Sequence, residues 1–183
     1  IAAAVQHSRE RADLRQQLFS GKSKKAMKDL DIDPKSFAPR NILSRISNSK
    51  SQLIDFEQFI NQKSNYYDEV VGRVFENYEN TLSQSNAADF DDLLMKTQNL
   101  FLNNPDVLEK YQKRFIYLMV DEFQDTNIAQ YSIARQISST HRNLCVVGDP
   151  DQSIYSWRNA DIRNILSFRD DFPEATVIPL EEN

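Results

Sequence analysis

Cysteine, glycine and tryptophan are scarce in this sequence of 183 residues, which contains one Cys, three Gly and one Trp. A single cysteine, Cys145, excludes an internal disulfide and fits a reducing compartment. The apolar run 115–120 has six residues, far fewer than the roughly 20 that a membrane-spanning helix needs. The sequence therefore predicts a protein without a membrane span, which we expect in the cytoplasm.

The charge of the chain is modest but unevenly distributed. Hydrophobic residues make up 40%, charged residues 27%, and the net charge is -5, which argues weakly against wholesale binding of nucleic acid. Residues 9–50 contain eleven Lys and Arg against five Asp and Glu, whereas residues 89–183 contain nine against sixteen. The basic segment could contact DNA phosphates, or it could be a solvated helical surface. The composition leaves both alternatives open.

The first hundred residues show the spacing of amphipathic helices, in which apolar residues recur every three or four positions. The clearest case is 64–84, where Val70, Val74 and Tyr78 fall on one face. Helices are predicted over 6–18, 22–30, 39–49, 55–62, 64–84 and 89–102, with a short one from 105 to about 114.

The rest of the chain alternates between short apolar runs and amphipathic stretches. Strands are predicted over 115–120, 143–148 and 175–180, with helices over 127–138 and 161–170 between them. This order is typical of a parallel sheet with right-handed crossovers, in which ligands bind at the carboxyl ends of the strands. The sequence thus predicts an α/β fold, a helical subdomain followed by part of a parallel sheet.

Two adjacent carboxylates, Asp121 and Glu122, directly follow the first predicted strand. In nucleotide hydrolysis one carboxylate can bind Mg²⁺ while the other orients or deprotonates the attacking water. Alternation along a strand would point the two side chains to opposite sides, so that they need not compete for one position. The structural alternative is an acidic loop in which Asp125 or Thr126 caps the helix that begins near Asn127.

A second polar segment, 148–158, follows the second predicted strand and combines a turn, an amide, two aromatic rings and an arginine. Gln152 could bind a phosphate oxygen or a water, and Arg158 could bind a phosphate by a forked contact. Tyr155 and Trp157 could stack on the bases of a single strand. The alternative for both rings is an ordinary place in the core.

Both polar segments resemble motifs of the UvrD/PcrA/Rep-like DNA helicases of superfamily 1. Residues 121–125, Asp-Glu-Phe-Gln-Asp, resemble motif II, the Walker B box, and residues 148–158 resemble motif III. Residues 89–94, Asp-Phe-Asp-Asp-Leu-Leu, look like the stretch where such chains re-enter the motor domain. The helical segment before it is similar to the inserted subdomain 1B, and the resemblance covers about residues 30–183.

The resemblance implies nucleotide chemistry for the residues that follow the first strand. Asp121 would serve Mg²⁺ and Glu122 would activate the attacking water. Gln124 and Asp125 would belong to the network that binds the nucleotide. The resemblance therefore makes ATP the substrate and Mg²⁺ the cofactor.

For the second segment the resemblance implies a link between nucleotide and DNA. Gln152 would sense the γ-phosphate as part of the catalytic set, and Arg158 would bind nucleotide and help join the two sites. Tyr155 and Trp157 would contact single-stranded DNA, Trp157 by stacking. The family usually has Gly after this arginine, where Asn159 stands here, a mild departure because Asn tolerates left-handed backbone conformations.

A phosphate-binding P-loop, G-x-x-x-x-G-K-[ST], is missing. The triplet 21–23, Gly-Lys-Ser, matches only the end of that pattern, and Gln16 stands where its first Gly belongs. The resemblance implies a P-loop upstream and a second RecA-like domain downstream, and the first residue is Ile1 rather than Met. We expect a fragment, with 1–88 as the inserted helical subdomain (1–25 of unclear origin) and 89–183 as the C-terminal half of a RecA-like motor domain.

These features predict part of an ATP-dependent 3′-to-5′ DNA helicase and translocase of repair or replication, with single-stranded and junction DNA and proteins of those processes as partners. The isolated chain is expected to be inactive, because the P-loop and the second motor domain are absent. One alternative is a DNA- or protein-binding helical module without catalysis. Others are a structural fragment that dimerises through an exposed sheet edge, and the AddA/RecB-like nuclease branch, which has a similar motor.

Overall fold

A computed structural model describes residue 21 and residues 23–152, 160–161 and 163–180. The chain divides into two compact units, Ile1–Lys96 and Thr97–Asn183. In the described residues the first unit is helical, and the second combines helices with a two-stranded sheet. None of the helices described is both long and apolar enough to cross a membrane. The predicted helix over 6–18 lies outside the described residues.

Among the described residues, five helices lie in the first unit or begin there, and they agree with the predicted bounds to within two residues at each end. The last of them continues past Lys96 into the second unit. They are α1 (23–29), α2 (Pro39–Ser51), α3 (Phe56–Gln62), α4 (Tyr66–Gln84) and α5 (Phe90–Asn103).

Local sequence signals explain where these helices begin. Pro39 occupies the first turn of α2, where the missing backbone N–H costs no helical hydrogen bond. At α3, Asp55 and Gln58 form a capping box, each side chain accepting the other's backbone N–H. At α4, the side chain of Asn65 accepts the backbone N–H of Asp68 at 2.8 Å. Such caps depend only on neighbouring residues, which is why the helix starts were predictable.

The core of the first unit is built on α4. Gly72 lets α3 approach closely, because a Cβ there would lie 3.0 Å from Cγ1 of Ile60. The spacing of three and four residues gathers the apolar side chains of α4 on the face that packs against α2 and α3. Those exposed by 2% or less are Val70, Val71, Val74, Phe75, Tyr78 and Leu82.

A buried lysine also joins three helices of this unit. Lys50 of α2 is 1% exposed, and its Nζ lies 2.6 Å from Glu79, 2.7 Å from Asp89 and 2.9 Å from Asp92. The hydroxyl of Tyr78 donates to Asp89 Oδ2 at 3.0 Å. We call these five residues the lysine cluster. It ties α2 to α4 and to the start of α5 through charged hydrogen bonds.

Burial and the neighbouring charges shift the pKa values of several groups in the lysine cluster. Burial acts to lower the pKa of Lys50, but the neighbouring Asp89 and Glu79 outweigh it, so that the pKa is raised and the ammonium stays charged. Burial also raises the pKa of Glu79 and, with Asp89 beside it, that of the Tyr78 hydroxyl. The cluster therefore places one charged lysine among three carboxylates, of which Asp89 and Asp92 are buried and Glu79 is partly buried.

The second unit surrounds a small parallel sheet. Its two strands pair in the register Leu118 with Leu144 and Val120 with Val146. The elements after α5 are α6 (Pro105–Arg114), β1 (Leu118–Val120), a 3₁₀ turn (Phe123–Asp125), α7 (Ile128–Ser138), β2 (Leu144–Val146), a second 3₁₀ turn (Pro150–Gln152), α8 (Arg163–Leu166) and α9 (Phe168–Asp171). The predicted helices over 127–138 and 105–114 are confirmed.

One face of the sheet packs on an aromatic core, because side chains alternate along a strand. Val120, Leu144 and Val146 pack there, while Met119 and Cys145 are exposed on the other face. The buried rings of that core are Phe123, Tyr131, Phe168 and Phe172.

The prediction of a third strand, over 175–180, is wrong. Residues 175–180 are described but form no strand, with Val177, Ile178 and Leu180 exposed. A strand needs a neighbour for its backbone groups, and Pro179 has no N–H to offer. The first two strands are also shorter than predicted.

The predicted helix over 161–170 is instead two short helices, α8 and α9. Ser167 separates them, and both its backbone N–H, at 2.8 Å, and its hydroxyl, at 2.6 Å, donate to the backbone oxygen of Arg163. The observed fold is thus mostly helical with a two-stranded parallel sheet among the described residues, consistent with the α/β class.

Candidate functional site

Backbone pairing brings the two polar segments side by side beyond the ends of the strands. The N–H of Val147 donates to the carbonyl oxygen of Val120 at 2.8 Å, and the N–H of Phe123 donates to that of Val147 at 2.9 Å. The carboxyl ends of parallel strands meet at one edge of a sheet. The residues that follow β1 and β2 therefore share one surface.

The carboxylates Asp121 and Glu122 both lie exposed at this edge. Glu122 has the left-handed backbone conformation φ 50°, ψ 44°, which is uncommon for a residue with a side chain. Asp121 Oδ1 accepts the backbone N–H of Glu122 at 2.9 Å. Because β1 ends at Val120, strand alternation does not direct these side chains as expected. The turn does so instead.

Gln124 links the acid pair to the second segment. Its side chain is buried, with the residue 1% exposed. Nε2 donates to Glu122 Oε2 at 2.7 Å, and Oε1 accepts the backbone N–H of Asp149 at 3.1 Å. The amide thus bridges a carboxylate after β1 and the backbone after β2.

Asp125 does not cap α7, and neither does Thr126, so the structural alternative for the acidic loop is wrong. Asn127 caps the helix, in a capping box with Gln130. Oδ1 of Asp125 is buried and has no hydrogen-bond partner among the residues that the structure describes. A buried acceptor without a donor is costly, so this oxygen could accept from a bound water or ligand.

The turn after β2 is organised by Asp149. Its Oδ1 accepts the backbone N–H of Asp151 at 3.0 Å, and its Oδ2 accepts Nε2 of Gln152 at 2.6 Å. Gln152 is exposed. A continuous set of hydrogen bonds therefore runs from Glu122 through Gln124 and Asp149 to Gln152.

The structure thus gathers the predicted site residues Asp121, Glu122, Gln124, Asp125 and Gln152 at one edge of the sheet. The other three predicted site residues, Tyr155, Trp157 and Arg158, lie in 153–159, outside the described residues.

Motif reasoning gave no separate role to Gly148 and Asp149. A Cβ at position 148 would lie 2.6 Å from Gln124 Oε1, so this glycine makes room for the buried amide. Asp149 supplies both the backbone donor to Gln124 and the acceptor for Gln152. The signal in the sequence that could have indicated these roles was the Gly-Asp-Pro turn directly after a predicted strand.

The chemistry of the edge fits a magnesium ion bound to a nucleotide. Mg²⁺ prefers oxygen ligands and takes one or two carboxylates beside phosphate and water. Asp121 offers an exposed carboxylate of that kind, and Asp125 offers an unpartnered acceptor. A different carboxylate set, Glu79, Asp89 and Asp92, is also close enough to share a cation. In that set the ammonium of the lysine cluster already occupies the centre.

Comparison with known proteins shows to which family the chain belongs. The profile of the UvrD/REP helicase N-terminal domain matches residues 4–173. The ATP-dependent DNA helicase PcrA of Bacillus subtilis is 52% identical over 157 residues, which cover 86% of this chain and 21% of that protein. The PcrA of Staphylococcus aureus is 49% identical over 160 residues, covering 87% and 22%.

The PcrA of Staphylococcus epidermidis is 48% identical over 160 residues, with the same coverage of 87% and 22%. The chain spans about a fifth of the length of these relatives. The profile match begins at residue 4, well before residue 30, where the resemblance carried by the motifs begins. Because the match covers most of the sequence, the chain belongs to the UvrD/REP helicase family.

Proposed function

We propose that this chain is part of an ATP-dependent DNA helicase that moves along single-stranded DNA in the 3′-to-5′ direction. One observation carries the proposal: the exposed pair Asp121 and Glu122 is joined by hydrogen bonds through Gln124 to the turn that bears Gln152. Family membership and relatives named ATP-dependent DNA helicases support it.

Asp121 and Glu122 divide the chemistry in this proposal. Asp121 would hold Mg²⁺, which when bound neutralises charge on the phosphate oxygens of ATP. Glu122 orients the attacking water and accepts its proton, and its exposed carboxylate can reach a water at the surface of the site. Asp125 supports the nucleotide network with its unpartnered oxygen.

Gln152 binds the γ-phosphate in this proposal, because its exposed amide lies in the turn that hydrogen bonds join to Glu122. Arg158 joins this site to the DNA, and Tyr155 and Trp157 contact single-stranded bases. These last three assignments rest on the sequence motif.

We further propose that residues 1–88 are the inserted helical subdomain and 89–183 part of a RecA-like motor domain. The isolated chain then hydrolyses no ATP, because no P-loop cradles the phosphates and no second motor domain closes on them. The assembled motor acts in the cytoplasm on single-stranded and junction DNA, with proteins of repair or replication.

The test is a composite helicase, Bacillus subtilis PcrA in which the aligned segment is replaced by this chain. Phosphate release from ATP is measured with and without single-stranded DNA, and strand separation on duplexes with a 3′ or a 5′ tail. We expect DNA-stimulated hydrolysis, a preference for the 3′ tail, and a loss of about a hundredfold or more in kcat on Glu122→Gln. This chain alone should release no phosphate above background.

The matched control is Glu109→Gln, the same change at an exposed carboxylate of α6 that pairs with Lys113. It should leave kcat unchanged. If the composite helicase melts normally but Glu122→Gln hydrolyses ATP as fast as the unsubstituted protein, the proposed catalytic role is wrong.

A second candidate is a helical module that binds DNA or a partner protein without catalysis. The exposed lysines of α1, Lys24, Lys25 and Lys28, favour it. Its signature would be DNA binding by the isolated chain that weakens steeply with salt. An association insensitive to salt, with a doubled mass in solution, would instead indicate dimerisation through the sheet edge.

A further inference from the structure

We propose that Gln124 is a positioning residue that holds Glu122 and the turn after β2 in one fixed arrangement, so that the state of Gln152 reaches the water-activating carboxylate. The inference rests on the proposed function and deepens it. This inference departs from the nucleotide-binding role that the motif implied for Gln124, because the residue is 1% exposed and both ends of its amide are engaged within the protein.

The chemistry of the two partners fixes the orientation of the amide. The carboxylate of Glu122 can only accept, so it faces Nε2, at 2.7 Å. The backbone N–H of Asp149 can only donate, so it faces Oε1, at 3.1 Å. A flipped amide would lose both bonds at once. The orientation of the Gln124 amide therefore depends on both hydrogen bonds at the same time.

The surroundings leave the amide little freedom to move. A Cβ at position 148 would lie 2.6 Å from Gln124 Oε1 and 3.1 Å from Cδ1 of Ile165, so the chain packs tightly around the amide oxygen. Gly148 does not have a positive φ, so the position requires glycine for space and not for backbone conformation. The close approach of two segments thus depends on one missing methyl group.

The backbone of Glu122 also points to positioning. Its left-handed conformation is held by the Oδ1 of Asp121, which accepts its N–H, and by the N–H of Asp125, which donates to its carbonyl oxygen. These two bonds fix the main chain, and the bond from Gln124 fixes the carboxylate. Because both the main chain and the carboxylate of Glu122 are fixed, the carboxylate is preorganised to orient the attacking water in one direction.

Asp149 extends the connection to Gln152, whose Nε2 donates to Asp149 Oδ2 at 2.6 Å. If Gln152 turns toward a bound phosphate, it must release or share this carboxylate. The change would then reach Gln124 through the backbone N–H of the same residue, Asp149. Glu122 and Gln152 are therefore expected to act as a coupled pair.

The principal experiment uses Gln124→Met in the composite helicase, because Met keeps the volume of the side chain and removes both hydrogen bonds. We expect kcat for ATP to fall roughly ten- to a hundredfold while KM for ATP changes by less than about threefold. The stimulation by single-stranded DNA should fall as well. A merely structural role would lower the melting temperature without this separation of kcat from KM.

A double-substitution cycle makes the test specific. If Gln124 acts through Glu122, then Gln124→Met should lower kcat little further in a Glu122→Gln background. The matched control is Gln112→Met, because Gln112 also uses both ends of its amide, with Gln136, Ser139 and Thr140 as partners. That control should lower stability and leave kcat unchanged.

Two further measurements test the inference even if Gln124→Met fails to fold. Gly148→Ala, which crowds the amide without removing it, should reproduce the loss in kcat. In the chain itself, Glu122→Ala should speed hydrogen exchange of the Asp149 backbone amide several-fold. An unchanged exchange rate, a fully active Gly148→Ala, or losses that simply add in the cycle would overturn the inference. If Glu122→Gln itself leaves hydrolysis intact, the proposed function fails instead.

Discussion

The lysine cluster of the first unit and the acid pair after β1 use the same residue types in opposite ways. In the cluster, Asp89 and Asp92 are buried and share one ammonium with Glu79. After β1, Asp121 and Glu122 are exposed, with no cation among the described residues close enough to form an ion pair. The carboxylates of the lysine cluster bind a cation of the protein itself, whereas the acid pair after β1 is available to bind a ligand.

The difference shows how burial and partner decide what a carboxylate does. A buried carboxylate must be matched by a charge or hydrogen bonds, and once matched it has little capacity left for a ligand. An exposed pair held only by an amide and a backbone N–H can still exchange water for a cation or phosphate. Spacing alone would not distinguish the two, because Asp89 and Asp92 lie close together in the sequence, as Asp121 and Glu122 do.

The largest expected effect is that of Lys50→Met, which removes the buried cation shared by the buried Asp89 and Asp92 and the partly buried Glu79. We expect the free energy of unfolding to fall by about 3–5 kcal/mol. Urea denaturation followed by circular dichroism measures it. Lys113→Met, at a lysine 72% exposed, is the control and should cost less than about 1 kcal/mol. A loss at position 50 as small as the control would mean that the cluster does not stabilise the unit.

Tyr78→Phe removes one hydrogen bond of the same cluster and keeps its charges. The hydroxyl donates to Asp89 Oδ2 at 3.0 Å in a buried site, so we expect a loss of about 1.5–3 kcal/mol. The matched change Tyr66→Phe, at a residue 71% exposed, should cost less than about 0.5 kcal/mol. Equal effects at the two positions would contradict a role for the buried hydroxyl.

The sequence was sufficient where the structure depends on neighbouring residues. The helices from α1 to α7 follow from periodicity and from caps such as Asp55 with Gln58, which are local signals. The third strand was not predictable in this way, because the apolar run 175–180 becomes a strand only if another segment pairs with it. The break at Ser167, where the predicted helix over 161–170 divides in two, left no signal in the periodicity of the sequence.

The candidate site was predictable as a set of residues but not as a set of contacts. The motifs named Glu122 and Gln152 as candidate site residues, because a motif is defined by the order of residues along the chain. The bond from Gln124 to Asp149 joins residues 25 positions apart and depends on the sheet register. The contact of Lys50 with Asp89 spans 39 positions and left no pattern in the sequence.

Asp171 is an intermediate case between the two carboxylate sets, since its side chain is 30% exposed. Burial acts to raise its pKa, but bonds from Tyr131 and Arg135 outweigh it and hold the pKa below the ordinary value of 3.8. A lowered folded pKa stabilises above the unfolded pKa, and this contribution is lost as the pH falls through the folded value. Asp171→Asn should therefore cost about 1 kcal/mol at pH 7 and progressively less below about pH 4.

Urea midpoints at pH 7, 5, 4 and 3 measure this dependence. The control is Asp170→Asn, at the exposed neighbouring carboxylate, which should cost little at any of these pH values. A cost of Asp171→Asn that stays constant down to pH 3 would mean that ionisation of this carboxyl does not contribute to stability.

The smallest expected effect on stability is that of the acid pair itself. Asp121 and Glu122 are exposed, and the amide variants Asp121→Asn and Glu122→Gln keep an oxygen that can still accept the hydrogen bonds from the backbone and from Gln124. We therefore expect the free energy of unfolding to change by less than about 0.5 kcal/mol in either variant, while ATP hydrolysis by the composite helicase collapses. Thermal melting beside phosphate release, on the same preparations, separates the two effects. A large loss of stability in either variant would place these carboxylates with the lysine cluster, as structural groups, and would remove the reason to distinguish the two regions.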